Sequence, residues 1–182
     1  MKYVLLTVGL FTQLLSYSQT KAPVEVTPDL QKKIMLDIDK EVLKLKQRLS
    51  KGGDNSVHVE FIVDTFRVER FMAKWVELDF GDFGMRDAGY ATAKLYDSLL
   101  NKYYKKLLLV LKGNDKQALV QAQKAWLSFR DGETKLVETI SKDDYSGGGT
   151  MQQLTEASEY LNLIKSRTIV LFEHYVRATQ SY

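Results

Sequence analysis

Apolar residues return every three or four positions along most of this chain, which commits it to helices that each must bury one stripe. Leu30, Ile34, Ile38, Val42, Leu45 and Leu49 mark the first helix. Thr27 and Pro28 are a good cap and first residue for it, and Gly52-Gly53 stops it. From Ser56 the alternation Val57, Val59, Phe61 reads briefly like a strand, but Ile62, Phe66, Met72 and Val76 restore the helical period and predict a second helix to about Leu78. Gly81-Asp82-Phe83-Gly84 is expected to form a short turn before a third helix over 88–111, striped by Leu95, Leu99, Leu100, Tyr103 and Leu107. Gly113-Asn114-Asp115 ends that helix and caps a fourth over 116–141, through Leu119, Gln123, Trp126, Arg130 and Val137. A glycine-rich loop spans 142–149. Thr150 and Gln153 then stand at capping-box spacing, and Leu154, Ala157, Leu161, Ile164, Leu171 and Tyr175 mark a fifth helix. The expected fold is all-α: an antiparallel up-and-down bundle of about five helices forming a single domain over 28–182.

The first residues read differently. Lys2, a mostly apolar run over 3–15 and Ser16-Tyr17-Ser18 have the form of a signal peptide at 1–18, cleaved near Ser18/Gln19, followed by an extended leader over 19–27. The apolar run falls short of the ~20 residues a membrane-spanning helix needs. A buried N-terminal helix is the competing reading. The chain has no cysteine, hence no lipid-attachment site and no disulfide framework. A periplasmic or secreted protein, not a lipoprotein and without a membrane span, is expected. Its formal charge of +3, reduced by one when Lys2 is lost, is interspersed along the chain and gives no basic face for nucleic acid. At 182 residues and 45% hydrophobic composition the chain can build its core without a cofactor.

Charged residues on the apolar stripes need partners, because a lone buried charge costs several kcal/mol. Asp97 shares the pattern Asp97-x-x-Leu100-Asn101-x-x-Tyr104, and Gln123-x-x-Trp126-x-x-x-Arg130-Asp131 follows on the fourth helix. With Arg167 they predict a polar network of Asp97, Asn101, Gln123, Trp126, Arg130, Asp131 and Arg167 where the third, fourth and fifth helices meet. A device fixing helix register is preferred here over a binding site. Taken with Gly148-Gly149-Thr150, these motifs resemble the lysozyme-inhibitor LprI-like family over about residues 85–175. The resemblance implies a noncatalytic protein-binding module with lysozyme as candidate partner, occluding a muramidase cleft. Where that family usually carries cysteines this chain has Ala88, Thr134 and Glu159, and Ile164 replaces a threonine-type residue.

The loop residues Asp143, Asp144, Tyr145, Gly147, Gly148 and Gly149 are the candidate partner-contacting surface, since an acidic pair beside a tyrosine suits a basic, sugar-binding cleft. A plain interhelix turn with glycines serving the backbone is the other reading. The mild positive charge of the chain leaves only local patches such as Asp143-Asp144 to steer it toward a basic lysozyme. No metal site is expected: His58 and His174 lie far apart, and Glu77, Asp79 and Asp82 do not follow a calcium-loop spacing. Asp82-Phe83-Gly84 lacks every other kinase element, and the glycines before Thr150 lack a P-loop lysine. No catalytic residue is assigned. An envelope adaptor binding another partner through its first two helices is the alternative function, and a hydrolase would need a pocket holding a titratable pair. The oligomeric state is left open.

Overall fold

The computed structural model describes residues 22–51 and 56–179. The signal segment at 1–18 and the Gly52-Gly53 stop lie outside these residues. Six helices follow in order: α1 (Pro28–Leu49), α2 (Ser56–Leu78), α3 (Asp82–Val110), α4 (Asp115–Ile140), α5 (Asp143–Ser146) and α6 (Thr150–Thr179), with no strand among the described residues. The all-α expectation holds, including the first turn of α2. Thr27 caps α1 as expected, its hydroxyl accepting the Leu30 N–H at 3.3 Å, with Pro28 behind it.

Two local expectations are corrected. Gly81 to Gly84 do not form a separate turn: Gly81 is the cap of α3, and the Met85 N–H donates to its carbonyl at 2.8 Å. Gly84 is there because the helix start presses on the end of α2; a Cβ at that position would sit 2.1 Å from the Asp79 carboxyl carbon and 2.6 Å from the Asp79 carbonyl oxygen. The glycine permits a close approach inside a helix and does not end one. Within the 142–149 loop, Asp143–Ser146 winds into the one-turn α5.

Consecutive long helices run antiparallel, as short connections require. Val24 N–H donates to the Leu78 carbonyl at 2.8 Å, so the segment before α1 lies along the end of α2, with Val26 buried. The most extensive seam, however, joins α3 to α6, which are not consecutive and run parallel. Thr150 meets Asp82, Gln153 meets Arg86 and Thr168 meets the Tyr96 carbonyl, in rising order on both helices. Gly89 against Ala157 allows that closeness, since a Cβ on Gly89 would lie 3.2 Å from that of Ala157.

One apolar cluster gathers Tyr96, Leu100, Tyr103 and Leu107 of α3 with Leu161, Ile164, Leu171 and Phe172 of α6. Phe61 of α2 stacks on Phe172 with ring centroids 3.8 Å apart. A second cluster joins Ile34, Ile38 and Val42 of α1 to Val63, Phe71 and Trp75 of α2. Burial of side chains this large supplies about 1.5–3 kcal/mol each, which is why these helices hold without a covalent staple.

α4 stands apart. It fully buries only Leu119, and leaves Leu127, Phe129, Leu136 and Ile140 exposed. Clefts therefore open along both of its flanks, between α4 and α6 and between α4 and α3. No helix among the described residues is long and apolar enough to cross a membrane.

Candidate functional site

Ionic contacts tie α2 to each of its neighbours: Arg67 pairs with Asp39 of α1, and Arg70 and Lys74 with Glu41 of α1, while a second set faces α3 and α6. Lys102 reaches both Glu60, at 2.8 Å, and Asp64, while Lys106 pairs with Glu60 and Lys165 with Glu69 at 2.6 Å. Two buried tyrosines complete the set: Tyr103 donates its hydroxyl to Asp64 at 2.8 Å, and Tyr96 donates to Glu69. Burial first, and then the accepting carboxylate, push both phenols far above their ordinary range. For Glu60 and Glu69 burial works against ionisation, but the lysine hydrogen bonds outweigh it and hold both carboxyls below the usual value. The sequence signal was available. Glu60 and Asp64 are four apart on α2, Lys102 and Lys106 are four apart on α3, and antiparallel helices bring such pairs face to face.

The network expected at α3, α4 and α6 forms only in pieces. Asp97 accepts from Asn101 at 3.0 Å, one turn along the same helix. Arg130 turns to its neighbour Asp131, with nitrogen–oxygen distances of 2.6 and 2.9 Å. Arg167 donates from Nε to the Gln123 side-chain oxygen at 3.1 Å. Among the described residues no ion pair joins Asp97 to either arginine. The physical reason is the loose seating of α4, which leaves Arg130 only partly covered and lets a solvent-facing neighbour serve as its counter-ion. Trp126 is what the two arginines share: the Arg130 guanidinium lies 5.6 Å from its ring centre and that of Arg167 5.8 Å. Asp97, Asn101, Gln123 and Trp126 do come together, as walls of one cleft of about 300 Å³ between α3 and α4.

At the turn from α4 into α6, Gly147, Gly148 and Gly149 all take left-handed backbone angles, with φ of 80°, 60° and 84°. The Asp143 carboxylate folds over Gly148 so closely that a Cβ there would meet its oxygen at 1.8 Å. Ser146 donates to the Ile140 carbonyl at 2.7 Å and Gln152 to the Ser146 carbonyl at 3.2 Å, so the bend is internally held. Backbone needs thus account for the glycines. Asp143 and Asp144 are exposed, and Tyr145 is 71% exposed. The capping box read at Thr150 and Gln153 serves a different contact: Thr150 donates to Asp82 at 3.0 Å and Gln153 accepts from Arg86 at 2.8 Å, pinning the start of α6 to the start of α3.

Beside that bend, a small cavity of about 140 Å³ is lined by Tyr90, Tyr160, Glu138, Glu156 and Glu159, with Thr134. Burial and then the Glu156 carboxylate raise the Tyr90 phenol above its ordinary range. Thr134 and Glu159, two of the positions where the resembling family carries cysteine, both line it. Among the described residues no group of three or more His, Cys, Asp or Glu is placed to hold a metal.

What these features delimit is an all-helical unit, α3 through α6, that presents clefts and an acidic turn at its surface. The family model of the lysozyme inhibitor LprI matches residues 81–171, half of the chain, and this chain belongs to that family. The match begins at the cap of α3 and ends within α6, leaving α1 and α2 outside it. No curated protein and no solved structure matches the chain. Membership carries a protein-binding role of the lysozyme-inhibitor kind at the level of the family.

Proposed function

We propose that this protein is a noncatalytic inhibitor that binds a lysozyme with the acidic end of α4, α5 and α6, occluding the muramidase cleft. One observation carries the reading. Between Asp131 and Tyr160 the chain has seven acidic residues and two basic ones, although it is basic as a whole. Glu133, Asp143, Asp144, Glu156 and Glu159 of this set have no ion pair among the described residues, whereas the carboxylates of α2 facing α3 are neutralised by lysines. Such an end attracts a basic enzyme over a Debye length despite the charge of the rest of the molecule. Asp143, Asp144, Tyr145 and the bend through Gly147, Gly148 and Gly149 are the part that enters the cleft. On this reading the protein acts in the periplasm or outside the cell, after removal of residues 1–18.

An adaptor working through the first two helices has less in its favour. Exposed large apolar side chains number two on α1, Leu36 and Leu43, and one on α2, Ile62, against Leu127, Phe129, Leu136 and Ile140 on α4.

The test is turbidity loss of bacterial cell walls by several lysozyme types in the presence of the purified protein. Inhibition of at least one type is expected, weakened by the double substitution Asp143→Asn and Asp144→Asn with no change in melting temperature. Absence of both inhibition at high molar excess and a complex on size exclusion removes the reading.

A further inference from the structure

A different face of the α4 seam combines apolar walls with unneutralised cations. Leu107 of α3, Leu111 just past its end, Leu119 of α4 and, from α6, the cations Arg167 and Arg177 with His174 line an open cleft of about 570 Å³. That volume lies within the ~300–1,000 Å³ usual for small-molecule sites. The three side chains follow one stripe of α6, at positions 167, 174 and 177, so all reach the same side of the cleft.

Among the described residues neither guanidinium has a carboxylate partner. Among the described residues Arg167 is held only by the neutral Gln123 oxygen and the Trp126 ring, and no ion pair reaches Arg177. Arg177 instead lies against Nδ1 of His174. A guanidinium can only donate, so Nδ1 accepts and the imidazole is neutral, its proton on Nε2. The direction of two titrations agrees: burial lowers the Arg167 value, and burial, then Arg177 and Arg167, lower that of His174. The one acid lining the cleft, Asp115, sits at the start of α4 and has no ion pair with these cations. A half-buried cation with no counter-charge raises the energy of the unliganded protein, and an anion supplied from outside relieves that cost.

We propose that this cleft binds a single-chain fatty acid, its carboxylate held by Arg167 and Arg177 and its alkyl chain lying along Leu107, Leu111 and Leu119. Apolar walls from Leu107, Leu111 and Leu119 beside two guanidinium groups match the charge and polarity of an alkyl chain ending in a carboxylate. The carboxylate suits the paired guanidinium donors, and His174 supplies its Nε2–H as a further donor. The site stands on the opposite end of α4 and α6 from the acidic bend, and is independent of the inhibitor reading.

Isothermal titration of the purified full chain with myristate tests it. One-to-one binding is expected, at least tenfold weaker in Arg177→Gln, and absent for a neutral alkyl maltoside of similar chain length. Histidine resonances give a second readout. A bound carboxylate adds negative charge beside His174, so its titration midpoint rises on loading. Arg177 is exposed and its replacement leaves the fold intact, so the test survives if Arg167→Gln fails to fold. Equal binding of the neutral amphiphile, unchanged affinity in Arg177→Gln, or no heat with myristate each overturns the proposal. Binding that emerges only in a chain ended after Thr179 also overturns it, because the cleft would then belong to the protein's own last residues.

Discussion

Asp64 does for this protein what Asp97 was expected to do. Its carboxylate, 15% exposed, takes both Lys102 and the hydroxyl of fully buried Tyr103. Removing it leaves the buried Tyr103 hydroxyl without an acceptor and Lys102 with Glu60 alone, a cost of about 1–3 kcal/mol. Asp64→Ala is therefore expected to lower the denaturation midpoint clearly, whereas Asp97→Ala, whose partner Asn101 is exposed, should stay within about 0.5 kcal/mol of the parent. Urea unfolding of both variants checks this; equal losses would restore the network first read from the Asp97 and Arg130 motifs. Arg130→Ala belongs with the milder case, since its counter-ion is its own neighbour. The motif residues were legible as types and as stripes. Their partners were not, because the choice between Asp97 and Asp131 depends on how far α4 stands from α3, which no local spacing encodes. Thr150 and Gln153 make the same point, having the spacing of a local cap and the contacts of a clamp between helices.

Among the elements, α4 departs most from what its sequence promises. Its periodicity is as clear as that of α3, yet only Leu119 is fully buried. Helical stability in a folded protein comes mainly from packing of an apolar face, so a helix that buries little opens at lower cost than its neighbours. Hydrogen–deuterium exchange followed by mass spectrometry should show peptides of α4 exchanging well before those of α3 and α6. Protection of α4 equal to that of α3 would contradict the loose seating. The positions where the resembling family places cysteines bear on this, since Thr134 and Glu159 line one cavity between α4 and α6 without a covalent link. A disulfide chiefly restricts the unfolded chain, so its absence changes how firmly α4 is held and not whether it forms.

For the molecule as a whole, paired carboxylates set the acid limit. Hydrogen bonds from Arg70, then Lys74, lower the Glu41 carboxyl from 4.5 to about 2, and Glu60 and Glu69 are lowered by their lysines against the effect of burial. A folded-state value below the unfolded one adds stability that is present above the unfolded value and disappears as pH falls through the folded one. The melting temperature is thus expected to decline from about pH 4.5 toward pH 2. Tyr96 and Tyr103 act in the other direction: their raised values add stability below the ordinary phenol value of 10.0, which is lost as pH climbs above it. A flat melting profile across either window would show that these groups are not coupled to folding. The five long helices, the cap at Thr27, the stop of α2 near Leu78 and membership of the family were all legible in the chain, because periodicity, capping and motif spacing are local properties. The parallel pairing of α3 with α6 and the clefts beside α4 came from the fold alone, as did the choice of partners for the α2 ion pairs, whose four-residue spacings were visible in the chain. They depend on which stripe meets which across long sequence separations, and many pairings of similar stripes satisfy the same local pattern.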